Sequence, residues 1–227
     1  NRTSAYACFT ACAMLRSRWK DIIDAADAPP VGGNDGRPDM GMTYGRVPHP
    51  GYIDKQSTTA SKPAGRGWDN LGKRTPRAIG LHRMWGTLAG TDSHFANRSV
   101  GSLTDYGLGS ANIDGARLDG ALHKYNDPRG YRSGWANGRV SAPYGDGLAF
   151  VNKYGVIGVN RDVVSIETPG YDTEPLSDAC MNSLVHLMAW HADQNKIPYT
   201  SLPLNPHTGI NLIIWHEEFT FGTGKKC

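Results

Sequence analysis

Apolar residues are spaced along this chain in two rhythms. Short apolar runs end in polar residues at Arg77–His82, Leu122–Tyr125, Val163–Glu167 and Asn211–His216. Runs of this length, bounded by turn formers, predict buried strands. Val156–Val159 is a weaker strand candidate of the same kind. A helical rhythm marks Ser177–Asn195, where Leu184, Leu187, Met188 and His191 share one face with Cys180 a turn earlier. Ser177 is placed to cap its first turn, and Ile197-Pro198 to end it. A second, less regular amphipathic helix is expected over Ala5–Ala26. Between the N-terminal helix and the strands, Asp27–Gly67 is rich in Pro, Gly and Asp and has little periodicity. It predicts an irregular arm. The division expected is an N-terminal helix and arm over 1–72 and a folded domain over 73–227. Strands interleaved with one or two packing helices predict an α/β fold with a mixed central sheet flanked by helices.

Composition supports a loop-rich chain. Its 227 residues include 28 glycines and 14 prolines, well above the roughly 12% of average proteins. The net charge of +3 is scattered, so no basic patch points to nucleic acid. No apolar run approaches the ~18 residues of a membrane span. No signal peptide is legible, and a chain that begins at Asn1 is expected to be a fragment. Four cysteines are too few for a disulfide framework at this length. Cys180 reads as a buried thiol, and Cys8 and Cys12, four apart, as a pair on one helix face.

The candidate chemistry lies at strand ends. His82 and His216 each close an apolar run, and Cys227 follows His216 after a loop. Imidazole and thiolate are good zinc ligands, and three protein ligands leave a position open for water. Alone, each has an ordinary reading: His82 as a satisfied strand-end histidine, Lys225 beside Lys226 as a solvated charge run. His186 and His191 are five apart on a helix, about 140° around its axis, and make poor joint ligands. His216-Glu-Glu-Phe-Thr220 lacks the second histidine of a zincin motif.

Taken in order, these segments resemble the zinc-dependent N-acetylmuramoyl-L-alanine amidases of type 2, whose fold is shared with T7-type lysozyme and the peptidoglycan recognition proteins. The resemblance covers roughly residues 73–227. It implies that His82, His216 and Cys227 hold Zn2+ and that Lys225, two residues before Cys227, stabilises the oxyanion. It implies that Glu167, closing Val163-Val-Ser-Ile-Glu167, moves the proton, and that Tyr106 donates a hydrogen bond. Trp135-Ala-Asn137-Gly138 resembles a Trp-His-Ala-Gly segment that lines the substrate groove, so Trp135 and Asn137 are expected to contact substrate.

The chain departs from the family at three places. Ala136 replaces a groove histidine, Asp105 replaces the histidine before the tyrosine, and about ten extra residues (107–118) precede the next strand. The activity implied is hydrolysis of the bond between N-acetylmuramic acid and L-alanine in peptidoglycan. The family, with no export signal legible, suggests a phage endolysin domain, made in the host cytoplasm and acting on the cell wall, with a bacterial autolysin or a cytosolic recycling amidase as alternatives; a monomer is expected. Two rival readings are a peptidoglycan-binding module that does not cut, and a thiol enzyme using Cys8 or Cys12.

Overall fold

The computed structural model describes residues 47–197, except 139, 142, 172 and 173, together with 213–215. The expected helix over Ala5–Ala26, with Cys8 and Cys12, lies outside the described residues.

Eight described strands form two sheets. β1 (Ile53–Asp54), β3 (Ala78–Arg83), β4 (Tyr106–Leu108), β5 (Leu122–Lys124), β7 (Val163–Thr168) and β8 (Ile213–Trp215) make one six-stranded sheet in the order β1-β5-β4-β7-β3-β8. Only the β4–β5 pair is antiparallel; the others run parallel, so the sheet is mixed. β2 (Trp68–Asn70) and β6 (Arg132–Gly134) form a separate antiparallel pair. The architecture is α/β, as the alternation of apolar runs predicts.

The central strands β3 and β7 are paired over six positions, from Ala78↔Val163 to Arg83↔Thr168. Both carry continuous apolar sequence because both faces of the sheet are covered. On one face lies helix Asp178–Asn195, with Cys180, Leu184, Leu187, Met188 and His191 all buried. The Ser177 hydroxyl accepts from Cys180 N at 3.1 Å, the cap expected from sequence. Lys196 closes this helix in the left-handed region at φ 55°.

The other face is covered by two helices that apolar rhythm does not predict. Leu88–Ala96 buries Leu88, Thr91 and Phe95, and Thr87 caps it by accepting from Gly90 N. Gly145–Arg161 buries Gly147, Phe150, Gly158 and Val159. The second corrects the strand expected at Val156–Val159. Val156 and Ile157 are 56% and 60% exposed, and this stretch is the last turns of a helix broken at Gly155 (φ 77°). Its β-branched residues resemble a strand only because the glycines on either side hide the helical period.

The described half of the expected arm belongs to the two sheets. β1 pairs in parallel with β5 at the sheet edge, and β2 pairs with β6. Between them lies a single helical turn, Gln56–Thr59. The Lys62 Nζ donates to the carbonyls of Val100 and Ser102, both at 3.0 Å, and so ties this segment to the loop before β4. The extra residues 107–118 run through β4 into a short helix, Ala111–Asp114, and a 3-10 turn, Ala116–Leu118.

Candidate functional site

Parallel pairing places register partners side by side on one face of a sheet. His82 pairs with Glu167, Glu167 with Gly107, and Gly107 with His123. Four strands therefore present one row of residues: His82, Glu167, Gly107 and His123. Neighbours along the row are about 4.8 Å apart at the backbone. The row sits at the C-terminal ends of β3 and β7, a usual place for a site in an α/β sheet.

His82 is 1% exposed. Its Nε2 lies 2.8 Å from Asn137 Oδ1. The amide of Asn137 in turn donates from Nδ2 to the Val159 carbonyl at 2.6 Å. Room for this contact comes from Gly80, on the same face two residues before His82: a Cβ there would stand 2.9 Å from Asn137 Oδ1 and 2.9 Å from Val163 Cγ1. Thr168 Oγ1 donates to the His82 carbonyl at 2.9 Å and ties the strand ends together.

Glu167 keeps part of its surface open to solvent. Its carboxyl is nevertheless so enclosed by protein that burial pushes its pKa up to about 7. A carboxyl with this value both takes and gives a proton at neutral pH.

Gly107 leaves a gap in the row that Tyr125 fills. A Cβ at Gly107 would lie 3.2 Å from the Tyr125 hydroxyl. That hydroxyl donates to Asp92 Oδ1 at 2.7 Å. The same carboxylate faces His123 Nδ1 at 2.8 Å and Lys55 Nζ at 3.2 Å. Burial works against the charge on Asp92, but hydrogen bonds from Tyr125 and His123 outweigh it and hold the carboxyl below the usual range. Burial, then the Asp92 bond, pushes the Tyr125 phenol well above its ordinary value, and Glu167 adds to the effect. Among the described residues His123 Nε2 is buried without a hydrogen-bond partner. Sequence spacing gives His123 no ligand pattern, leaving it only as a groove-lining residue, and does not point to Asp92 or Tyr125. The alternation Leu122-His123-Lys124-Tyr125 puts His123 and Tyr125 on one face, but Asp92 comes from a helix about thirty residues earlier.

The other expected site residues are placed differently. Tyr106 is not brought to this row. It pairs with Ile166, one position off the Glu167 register, and so projects to the opposite face. There it is 1% exposed, with its ring centroid 5.1 Å from that of His191. Burial first, then the Asp105 charge, holds its phenol far above the ordinary value. The expectation of a catalytic role for Tyr106 is corrected on this ground: one residue along a strand reverses the face. Asn137 is 1% exposed and turned towards His82 rather than towards a groove. Trp135 is half-buried, and its Nε1 donates to Asp69 Oδ2 at 2.8 Å. Asp105, where the family resemblance expects histidine, is a structural anion. It receives Arg74 at 2.5 and 2.8 Å and Asn126 Nδ2 at 2.9 Å. Cys180 is buried, and burial pushes its thiol up to about 12, as the inert reading expects.

His216, Lys225 and Cys227 lie outside the described residues. Among the described residues no group of three or more His, Cys, Asp or Glu side chains converges to hold a metal ion. Of the three expected donors only His82 is among the described residues, and its ring is held by Asn137. Its chemistry fits a zinc ligand, since an imidazole steadied through one nitrogen by a fixed acceptor is the usual form of such a ligand. No helix among the described residues is long and apolar enough to cross a membrane.

Comparison with known proteins adds no relative: no protein-family model, no curated protein and no solved structure matches the chain.

Proposed function

We propose that the chain is a zinc-dependent N-acetylmuramoyl-L-alanine amidase with the type 2 amidase fold, acting on the peptidoglycan of bacterial cell walls as an endolysin domain does. The observation that carries the reading is the register at the strand ends. His82 and Glu167 stand side by side on one face. On the other side of β3, Trp215 pairs with Leu81; His216 follows Trp215 in the chain as His82 follows Leu81. Two histidines and a carboxyl with a pKa near 7 are the parts a hydrolytic zinc site needs.

Zinc, when bound, supplies a water acidic enough to ionise at neutral pH and a Lewis acid for the carbonyl. Glu167 is the proton carrier. Burial raises its pKa towards neutrality, so it can accept a proton from attacking water and return it to the leaving amine of L-alanine. Lys225, two residues from Cys227, provides positive charge for the oxyanion. Tyr106 takes no part, because it faces the helix on the far side of the sheet.

The test is release of L-alanine amino termini from purified peptidoglycan. The reading expects release that a zinc chelator abolishes and that Glu167→Gln lowers by about 10²–10⁴-fold. Binding of peptidoglycan without release would favour a recognition module. Release that survives the chelator would favour thiol chemistry at Cys8 or Cys12.

A further inference from the structure

We infer that Trp85 and Tyr171 form an aromatic platform at the rim of the site, on which sugar rings of a glycan strand stack. Trp85 follows β3, three residues after His82, and Tyr171 follows β7, four residues after Glu167. Three or four residues of chain span at most about 10–14 Å, so both side chains start close to the row that carries the proposed chemistry.

The two rings are exposed, Trp85 by 58% and Tyr171 by 49%. A single exposed aromatic is ordinary, but these two are set against each other. Gly86 and Gly170 form an antiparallel bridge, in which Gly170 N donates to the Gly86 carbonyl at 3.2 Å. In antiparallel pairing the residue before one partner lies opposite the residue after the other, so Trp85 stands across from Tyr171. The Tyr171 hydroxyl reaches back over the bridge: a Cβ at Gly86 would lie 4.0 Å from it.

The backbone beneath the rings is fixed. Met84 N donates to the Thr168 carbonyl at 2.8 Å, just before the bridge. The Arg83 guanidinium packs under Gly170, where a Cβ would stand 2.5 Å from Nη2. The same Nη2 donates to the Glu174 carbonyl, and Tyr171 N donates to Glu174 Oε2 at 2.9 Å. The loop is thus held from below while the ring it carries faces solvent. A platform ordered in advance loses little freedom when a ligand settles on it.

The identity of the glycan rests on the proposed function. Peptidoglycan has two halves, and only one matches this surface. A pyranose ring carries C–H groups on a flat face and its hydroxyl and acetamido groups at the edge. Its face can lie on an aromatic ring while its edge stays in water or meets the Tyr171 hydroxyl. The short side chains of the stem peptide have no such face. The amide to be cut hangs from a sugar through the lactyl group, so a strand held at the rim presents that amide to His82 and Glu167.

The test is binding of peptide-free glycan strands, which contain no bond that the proposed reaction cuts. Titrated into the full chain and followed by isothermal calorimetry, they are expected to bind wild type equally with and without a zinc chelator. Trp85→Ala and Tyr171→Ala each weaken binding by about 10-fold. Trp85→Phe recovers most of the loss, because a phenyl ring still stacks. Circular dichroism checks that each variant is folded. No binding by wild type overturns the inference, and so does wild-type affinity in either folded alanine variant. Release of L-alanine amino termini from whole peptidoglycan, without binding of the stripped strands, defeats the inference and leaves the amidase reading standing. Strand binding that the alanine variants lose, in a protein that releases nothing, does the reverse.

Discussion

Asp105→Ala is expected to be among the most damaging single changes in the described part of the chain. Asp105 and Arg74 each have side chains 1% exposed and meet through two nitrogens at 2.5 and 2.8 Å. The carboxylate also accepts from Asn126 Nδ2 at 2.9 Å, Ser165 N at 3.0 Å and Ser165 Oγ at 3.3 Å. Alanine would leave the guanidinium buried without its counter-charge and strip several donors of their acceptor. The remaining bonds from Arg74, to the carbonyls of Arg161 and Val163 at 2.9 Å and, more weakly, of Asp127 at 3.3 Å and Arg132 at 3.5 Å, supply no counter-charge. Breaking one side of a buried pair costs about 3–5 kcal/mol, a large share of the roughly 5–15 kcal/mol that holds a domain together. Urea unfolding followed by tryptophan fluorescence measures it. The reasoning also requires a specific coupling: Arg74→Met with Asp105→Leu should lose less than Asp105→Ala alone. A loss under about 1 kcal/mol for Asp105→Ala, or a double variant worse than the single, would refute the picture of a desolvated, mutually dependent pair.

Three further outcomes follow from the same geometry. Glu167 has a folded pKa raised to about 7 from its ordinary 4.5, so chelator-treated protein should lose stability as pH rises through that window. Below it the carboxyl is protonated in both states; above it only the folded state pays for burying the charge. The total is about 3 kcal/mol, and Glu167→Gln should flatten that part of the curve in urea titrations from pH 4 to 8. Equal slopes in the two proteins would contradict the buried position of the carboxyl. Ser177→Ala removes the cap on Cys180 N and should cost about 1 kcal/mol in thermal or urea unfolding. Gly80→Ala would set a methyl 2.9 Å from Asn137 Oδ1; it should weaken zinc binding, read by competition with a chromophoric chelator, while leaving secondary structure by circular dichroism unchanged.

The parts of this fold that were legible in the sequence are those with long apolar runs. β3 and β7 were visible because six-residue buried strands leave a continuous signal. The helix after Ser177 was visible because its cap and apolar face agree. β1, β2 and β6 were not, since two or three residues cannot establish a period. The helix Gly145–Arg161 was hidden by its own glycines, and Leu88–Ala96 announced itself only through the Thr87 cap. For the site, the strand-end positions of His82 and Glu167 were visible in the sequence, but not that the two are register partners. Tyr106 shows the limit: neither its three-residue strand nor its face, which depends on a one-residue register that only pairing defines, was legible. The contacts that give the site its character join residues far apart in sequence. Asn137 reaches His82 across 55 positions, and Asp92 reaches His123 across 31. Periodicity carries no trace of either.

The account stands or falls on whether the imidazole at position 82 binds metal. Elemental analysis of the purified full chain beside His82→Ala decides it. About one zinc ion per chain in wild type, and almost none in a variant that keeps its circular dichroism spectrum, is the predicted pair of values. No zinc in wild type after growth in zinc-supplemented medium, or the same zinc content in both proteins, would contradict it.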